Sequence, residues 1–282
     1  MMFSIVMAYN DRLPQLKNTL DSFKHFYKDI GNKIQIVIID DSSEDENELK
    51  NFIDENAVLS DKYPFHFTYE YINRKDTKFR NPAILYNKAV ELAKYENIMI
   101  TNPENLHTTN VIEHVAANLE AGMYIVYGCK TVNQPPSFEA IYNSESQFVI
   151  ENDPNSRRGW YQHSVFNNRL FHFLAAIKKS DYQSFGGFDP EYDKGVAVDD
   201  NDFICEVDKA GLRIVSVDDV YACHQSHRRP ANQDVEAEYK INLMRFIAKW
   251  GASPYDIMPI LSNQVREENE ARKLESLLKN ME

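Results

Sequence analysis

What most constrains the fold of this chain is an alternation. Five times in its first half, a short apolar run is set off from the next by a segment of different pattern. Residues 3–8 are almost continuously hydrophobic, as a strand covered on both faces requires. In residues 12–26 the apolar positions are Leu13, Leu16, Leu20 and Phe23, three and four apart, which is one face of a helix. Residues 33–39 repeat the strand pattern and end in Asp40-Asp41-Ser42-Ser43, a polar cluster able to cap a helix over 44–56. Strands are predicted again at 65–72, 97–100 and 123–129, with helices over 81–95 and 108–121. Such repetition builds βαβ units, a mostly parallel sheet flanked by helices, and right-handed crossovers. Ligands of such Rossmann-like sheets sit beyond the carboxyl ends of the strands. The residues that follow strands are therefore the ones to weigh for chemistry.

The rhythm breaks at 130–168, a polar stretch carrying Pro135-Pro136 and Arg157-Arg158-Gly159-Trp160. A segment of that length inside a compact domain reads as an acceptor or lid loop. Order resumes at 171–177, with a helix over 199–210, short strands at 212–217 and 220–224, and a helix over 231–249. A charged helical tail over 266–282 sets Leu274, Leu277, Leu278 and Met281 on one side. The expected organisation is one domain over 1–227 and a C-terminal helical extension over 228–282. The apolar stripe of the tail can pack on the domain or join two chains in a homodimer.

Charge and cysteine content exclude several classes. With 31 Lys and Arg against 43 Asp and Glu, the net charge of −12 argues against nucleic acid as a partner. Cys129, Cys205 and Cys223 are odd in number and unpaired in spacing, which suits a reducing cytoplasm rather than a disulfide framework. No transmembrane segment is expected, because no apolar run approaches the 18 or so residues a span needs; peripheral attachment to a membrane through the tail stays open. The chain also lacks the glycine-rich loops of dinucleotide enzymes and P-loop NTPases, the nucleophile elbow of α/β-hydrolases, and any CxxC pair.

What remains is a set of acids and histidines at strand ends. Asp40 and Asp41 close the second strand and can accept from a base N–H or a ribose hydroxyl; capping a turn is the plainer alternative. Glu104, in Asn102-Pro103-Glu104, can hold a hard divalent cation or simply shape a turn. Asp199 and Asp200 open a helix, where acids are favoured in any case, but one can orient while the other accepts a proton from a hydroxyl. His224 and His227 close a late strand, and one of them can complete a site with Glu104. In the long loop, Arg157 and Arg158 suit a diphosphate and Trp160 the face of a sugar ring.

The order of these pieces resembles family 2 glycosyltransferases of the GT-A fold. Ser4-Ile5-Val6-Met7-Ala8-Tyr9-Asn10 and Ile36-Val37-Ile38-Ile39-Asp40-Asp41-Ser42-Ser43-Glu44-Asp45 are similar to that family's opening strands. Asn87-Lys88-Ala89-Val90-Glu91-Leu92-Ala93 resembles its "N-x-G-x-x-x-A" helix, and Asn102 stands at the place of its D-x-D. Phe185-Gly186-Gly187-Phe188-Asp189 and Asp199-Asp200-Asn201-Asp202-Phe203 resemble its "G-G-F-D-E" and "E-D-x-D-L/F". The likeness runs over residues 2–227 and implies inverting transfer from a nucleoside-diphosphate sugar, UDP being the family's commoner carrier. It implies that Tyr9, Asn10 and Asp40, with Asp41 beside them, hold the nucleoside and that Arg80 meets the phosphates. It further implies that Glu104 and His224, with Asn102 and His227 near, bind Mn²⁺ or Mg²⁺, and that Asp200 is the base with Asp199 its partner. The acceptor would be a glycan, a glycolipid or a protein. Two departures stand out: one carboxylate of the D-x-D is replaced by Asn102, and the arginine of the family's "A-R-N" is absent from Leu85-Tyr86-Asn87. These leave room for a degenerate domain that only binds nucleotide sugar or glycan. A nucleotidyltransferase is the other alternative, though Ala8-Tyr9-Asn10-Asp11-Arg12 lacks the glycine such a loop wants.

Overall fold

The computed structural model describes residues 1–57, 62–76, 81–227 and 235–279. The first half alternates as its pattern requires: β1 (Phe3–Tyr9), α1 (Leu13–Tyr27), β2 (Ile34–Asp41), α2 (Glu48–Ala57), β3 (His66–Ile72), α3 (Ala83–Leu92) and β4 (Asn97–Thr101). Then come β5 (Asn105–His107), α4 (Val111–Asn118), β6 (Met123–Val132), α5 (Phe138–Ser144), β7 (Trp160–Gln162), β8 (Leu174–Lys178) and α6 (Lys179–Phe185). The chain ends with α7 (Asp199–Lys209), β9 (Arg213–Gln225), α8 (Val235–Trp250) and α9 (Pro254–Lys279).

The sheet runs β3-β2-β1-β4-β8-β6-β9-β5, with β7 on β6. Strands β1 to β4 pair in parallel, and β6 pairs in parallel with β9. Strand β8 lies antiparallel between β4 and β6, so β4 and β6 are not neighbours as simple repetition would have made them. The two short strands expected at 212–217 and 220–224 form one strand, β9, whose pairing with β6 shifts register between Tyr127 and Gly128.

Alternate residues of the central strands feed two cores, one on each face of the sheet. Val6, Val37, Ile39, Ile98 and Ile100 pack beneath α3, while Ile5, Met7, Ile36 and Ile38 pack beneath α1 and α4. Helix α1 buries Leu13, Leu16, Leu20, Phe23 and Tyr27 at spacings of three and four. Polar groups inside β1 and β2 are paired: Ser4 donates to Gln35 at 2.8 Å, and Gln35 donates to Thr68 at 2.9 Å.

The stretch 130–168 is more ordered than its composition suggests. Ser137 caps α5 by accepting from the Ala140 N–H, and Phe138 and Ile141 join Leu106, Val132 and Cys223 in a small third core. All three cysteines are free and buried. In the C-terminal segment, Phe246, Met258, Leu261 and Val265 enter the same core as α3 and α7. Leu274 and Leu278 of the expected stripe are exposed; the side chain of Leu277 and all of Met281 lie outside the described residues. Among the described residues, no helix is long and apolar enough to cross a membrane.

Candidate active site

The carboxyl ends of β1, β2 and β4, the start of β5 and the end of β9 bring the strand-end residues together. Glu104 lies between β4 and β5, and pairing of β5 with β9 sets Asn105 opposite His224. The Glu104 main-chain carbonyl is fixed by the Gln225 N–H at 3.0 Å and the Gln225 side-chain amide at 3.1 Å. This aims the Glu104 carboxylate at two imidazoles: Oε1 lies 3.4 Å from Nε2 of His224 and 3.4 Å from Nε2 of His227. Potential ligand atoms of the three residues all fall within 4.8 Å of one another. Burial alone would raise the Glu104 carboxyl, but the two histidines outweigh it and hold it well below the usual carboxylate range. Tyr161 stacks on the His224 ring at 4.9 Å and an interplanar angle of 4°, fixing its plane.

Across a cleft of about 290 Å³ stand Asp199 and Asp200, with Asn81, Tyr86, Asn102 and His172 also in its wall. Asn102 accepts from the Tyr86 hydroxyl at 2.5 Å. His172 Nδ1 lies 2.6 Å from Asp200 Oδ1, at the distance but off the axis of a hydrogen bond. Asp199 is buried; desolvation first, and the neighbouring Asp200 charge second, push its carboxyl up to about 7. The turn that delivers this pair is strained: Ala197 and Val198 have φ of 59° and 69°, costly for any residue with a Cβ and most of all for a β-branched one. Three bonds to α8 hold the turn in place, one of them from the Val196 N–H to Glu238 O at 3.3 Å. Asn242 donates to Ala197 O at 2.8 Å and to Tyr192 O at 3.0 Å. Further along α7, Asp202 is fixed by Lys249 at 2.8 Å and Trp250 at 2.7 Å.

The pattern of glycosyl transferase family 2 matches residues 4–185. The chain belongs to this family. It is a glycosyltransferase, and its α/β architecture is that of GT-A enzymes. No curated protein sequence matches it significantly. Among solved structures it is similar to a mannosyltransferase from Pyrobaculum calidifontis in complex with GDP-Man and Mn²⁺, with a TM-score of 0.53, 17% identity, and 93% of this chain covering 68% of that one. It is also similar to residues 1–349 of TarS from S. aureus in complex with UDP-GlcNAc, with a TM-score of 0.58, 12% identity, and 95% and 71% coverage. Against a longer TarS structure the glycosyltransferase spans 43% of the other chain.

At the nucleoside end the expected residues lie close together, but most are engaged with one another. Tyr9 is 1% exposed, so its side chain belongs to the core rather than to an open surface. Asn10 donates to Asp41 O at 2.8 Å. Asp40 accepts from the Ser43 N–H at 3.1 Å and the Ser43 hydroxyl at 2.6 Å; burial raises its carboxyl, and the Ser43 bonds oppose the rise. Asp41 takes a two-pronged bond from Arg74, Nε at 2.9 Å and Nη2 at 2.7 Å, and Arg74 also reaches Asp193. Arg80 lies outside the described residues. In the long loop, Arg157 lines a groove beside the Asp200 cleft and Arg158 lies over the Phe166 ring. Trp160 packs on Lys130 and Tyr221, on the face of β7 opposite Tyr161 and hence away from His224.

Four residues here escape a motif reading. Arg74 had a signal, since it comes two residues after β3 in a parallel sheet. His172, within the apolar-looking Phe171-His172-Phe173, had none, and neither did Tyr161. Asn242 is brought in only by the return of α8.

Proposed function

We propose that the enzyme moves a sugar from a nucleoside-diphosphate sugar to an acceptor hydroxyl with inversion at the anomeric carbon. One observation carries this reading: Asp200 and Asn102 share a cleft, and Asn102 is two residues from the Glu104–His224–His227 cluster. Asp200 would take the proton of the acceptor hydroxyl as that oxygen bonds to the anomeric carbon. The bond from that carbon to the diphosphate breaks on the opposite side, and the diphosphate leaves with the electron pair. Burial pushes the Asp199 carboxyl up, and Asp200, the less buried of the two, is the proposed acceptor of the proton. His172 stands beside Asp200, its Nδ1 2.6 Å from Oδ1.

Glu104, His224 and His227 fit a divalent cation, and a carboxylate with two imidazoles favours Mn²⁺ over the oxygen-seeking Mg²⁺. A cation held there would supply positive charge for the leaving diphosphate. Asp40 and Asn10, at the ends of β2 and β1, are the proposed nucleoside contacts, with Tyr9 and Asp41 bracing them. Cytoplasmic location and a glycan, glycolipid or protein acceptor complete the reading.

Thermal stabilisation by UDP, GDP and CDP, each with and without Mn²⁺, tests the donor site, since a ligand of the folded state raises Tm by mass action. A rise with one nucleotide that grows with Mn²⁺ is expected. Asp200→Asn should keep that rise and lose about 10²–10⁴ in turnover. Full turnover in Asp200→Asn would remove the residue from its role, and no rise with any nucleotide would remove the donor site.

A further inference from the structure

The Asp200 cleft opens at Ala197 into a larger groove of about 720 Å³, within the range that encloses a ligand of several rings. Asn201, the residue after Asp200, lines it. Its described lining holds Arg157, Arg169 and Arg266 and no Asp or Glu. In a chain with 43 acids against 31 Lys and Arg, this is a local inversion of charge. Arg169 is spent on structure, donating to Asn155 O at 2.8 Å and Asn167 Oδ1 at 3.2 Å. Arg157 and Arg266 have no ion-pair partner among the described residues, and Arg157 is exposed. Asn168 also lines the groove, and its amide nitrogen donates to Ser262 O at 2.9 Å. Tyr255 adds an exposed ring suited to a sugar.

We infer that this groove seats the acceptor, and that the acceptor carries an oxyanion, phosphate or carboxylate, near its reacting hydroxyl. Arg157 and Arg266 would hold the oxyanion by charge-assisted bonds. In a chain of net charge −12, a groove lined by arginines and no acids favours the approach of an anion, and it leads to Asp200. The inference rests on reading Asp200 as the base, but anion binding can be measured without turnover.

The test is calorimetric titration of the full chain, free of added metal, with glucose-6-phosphate, glucose, a galacturonic acid trimer and maltotriose. The expected result is that at least one anionic sugar binds about tenfold or more tighter than its neutral counterpart. Raising salt from about 0.05 M to about 0.3 M should weaken that binding. Arg157→Gln and Arg266→Gln should each weaken it about fivefold, with the melting temperature unchanged. Preference for the phosphate or for the carboxylate probe identifies which oxyanion is read. Equal binding of charged and neutral sugars, or anion binding that survives both substitutions, overturns the inference. If anion binding behaves as expected while no nucleotide stabilises the protein, the transferase reading fails and the groove assignment stands.

Discussion

Asn242 gives the sharpest test of how the turn into α7, which carries the proposed base, is held. It lies on α8, 42 residues after Asp200, and is fully buried. Its Oδ1 has no partner among the described residues, so its contribution rests on the two bonds its amide nitrogen donates to Tyr192 O and Ala197 O. In Asn242→Ala the Ala197 carbonyl loses this donor, while Tyr192 O keeps the Gly195 N–H at 3.3 Å. An acceptor left unpaired costs about 1–3 kcal/mol, and water reaching the exposed Ala197 recovers part of it, so a loss of about 1–2 kcal/mol is expected. For a chain of this size that lowers Tm by about 2–6 °C. The strain of order 1–3 kcal/mol at each of Ala197 and Val198 is comparable with what the bonds supply. The turn should therefore relax, and Asp200 should move. A misplacement of about 1 Å costs on the order of 100-fold in rate, so kcat should fall about 10–100-fold with the donor KM little changed. Asn242→Asp keeps the shape but donates nothing, and should match or exceed the alanine effect. Differential scanning fluorimetry and steady-state kinetics read both quantities. An unchanged Tm in Asn242→Ala, or a full rescue by Asp, would refute the argument, because either would mean that shape and not the donated bonds holds the turn.

Three further outcomes follow from the same geometry. Glu104→Gln should raise the Mn²⁺ concentration for half-maximal activity at least about tenfold while leaving Tm without metal within a few degrees; an unchanged metal response would separate Glu104 from the cation. Asp199, with its carboxyl raised in the folded state, binds a proton that the unfolded chain releases near pH 4, so its contribution is full below that pH and is lost as pH rises towards about 7. The Tm of the native protein relative to Asp199→Asn should therefore fall across that window and level off above it; a flat difference would place the proton elsewhere. If the exposed Leu274 and Leu278 form a homodimer seam, Leu274→Glu with Leu278→Glu should halve the mass seen by light scattering, and an unchanged mass would dismiss that seam.

The parallel half of the sheet was legible because both faces of β1, β2 and β4 are buried, which leaves a nearly continuous hydrophobic signature at each strand. The family motifs were legible for a related reason: Asp40, Glu104, Asp200 and His224 sit at strand or helix ends, where few residue types satisfy the backbone. The insertion of β8 between β4 and β6 was not legible, since Leu174–Lys178 is as apolar as any parallel strand and pairing direction leaves no mark in so short a run. Helix α5 was hidden by its setting among prolines, although Ser137 with Phe138 and Ile141 carried a cap and half a stripe. His172 and Asn242 reach the site only through tertiary return of distant segments, and no local pattern encodes that.

The dependence of the site on long-range pairing is clearest at Arg74. A pair of adjacent acids at the end of β2 suggests two groups turned towards a ligand. Asp41 is instead taken up by Arg74, and the same guanidinium reaches Asp193 and the Asn81 carbonyl, the last at 3.1 Å. Asp193 precedes the strained turn into α7, and Asn81 lines the cleft beside Asp199. One buried cation thus joins the end of β2, where the nucleoside contacts are proposed, to the segment that carries Asp200. Removing one partner of such a buried set leaves the others uncompensated, which is costlier than never having built it. Asp41 is better understood as the fixed end of this strut than as a ligand group, and Asp40, braced by Ser43, is the acid at this edge whose second oxygen has only a 3.4 Å contact to Tyr69 to satisfy it. Two adjacent aspartates of the same type are thereby separated in role by which of them a distant arginine reaches.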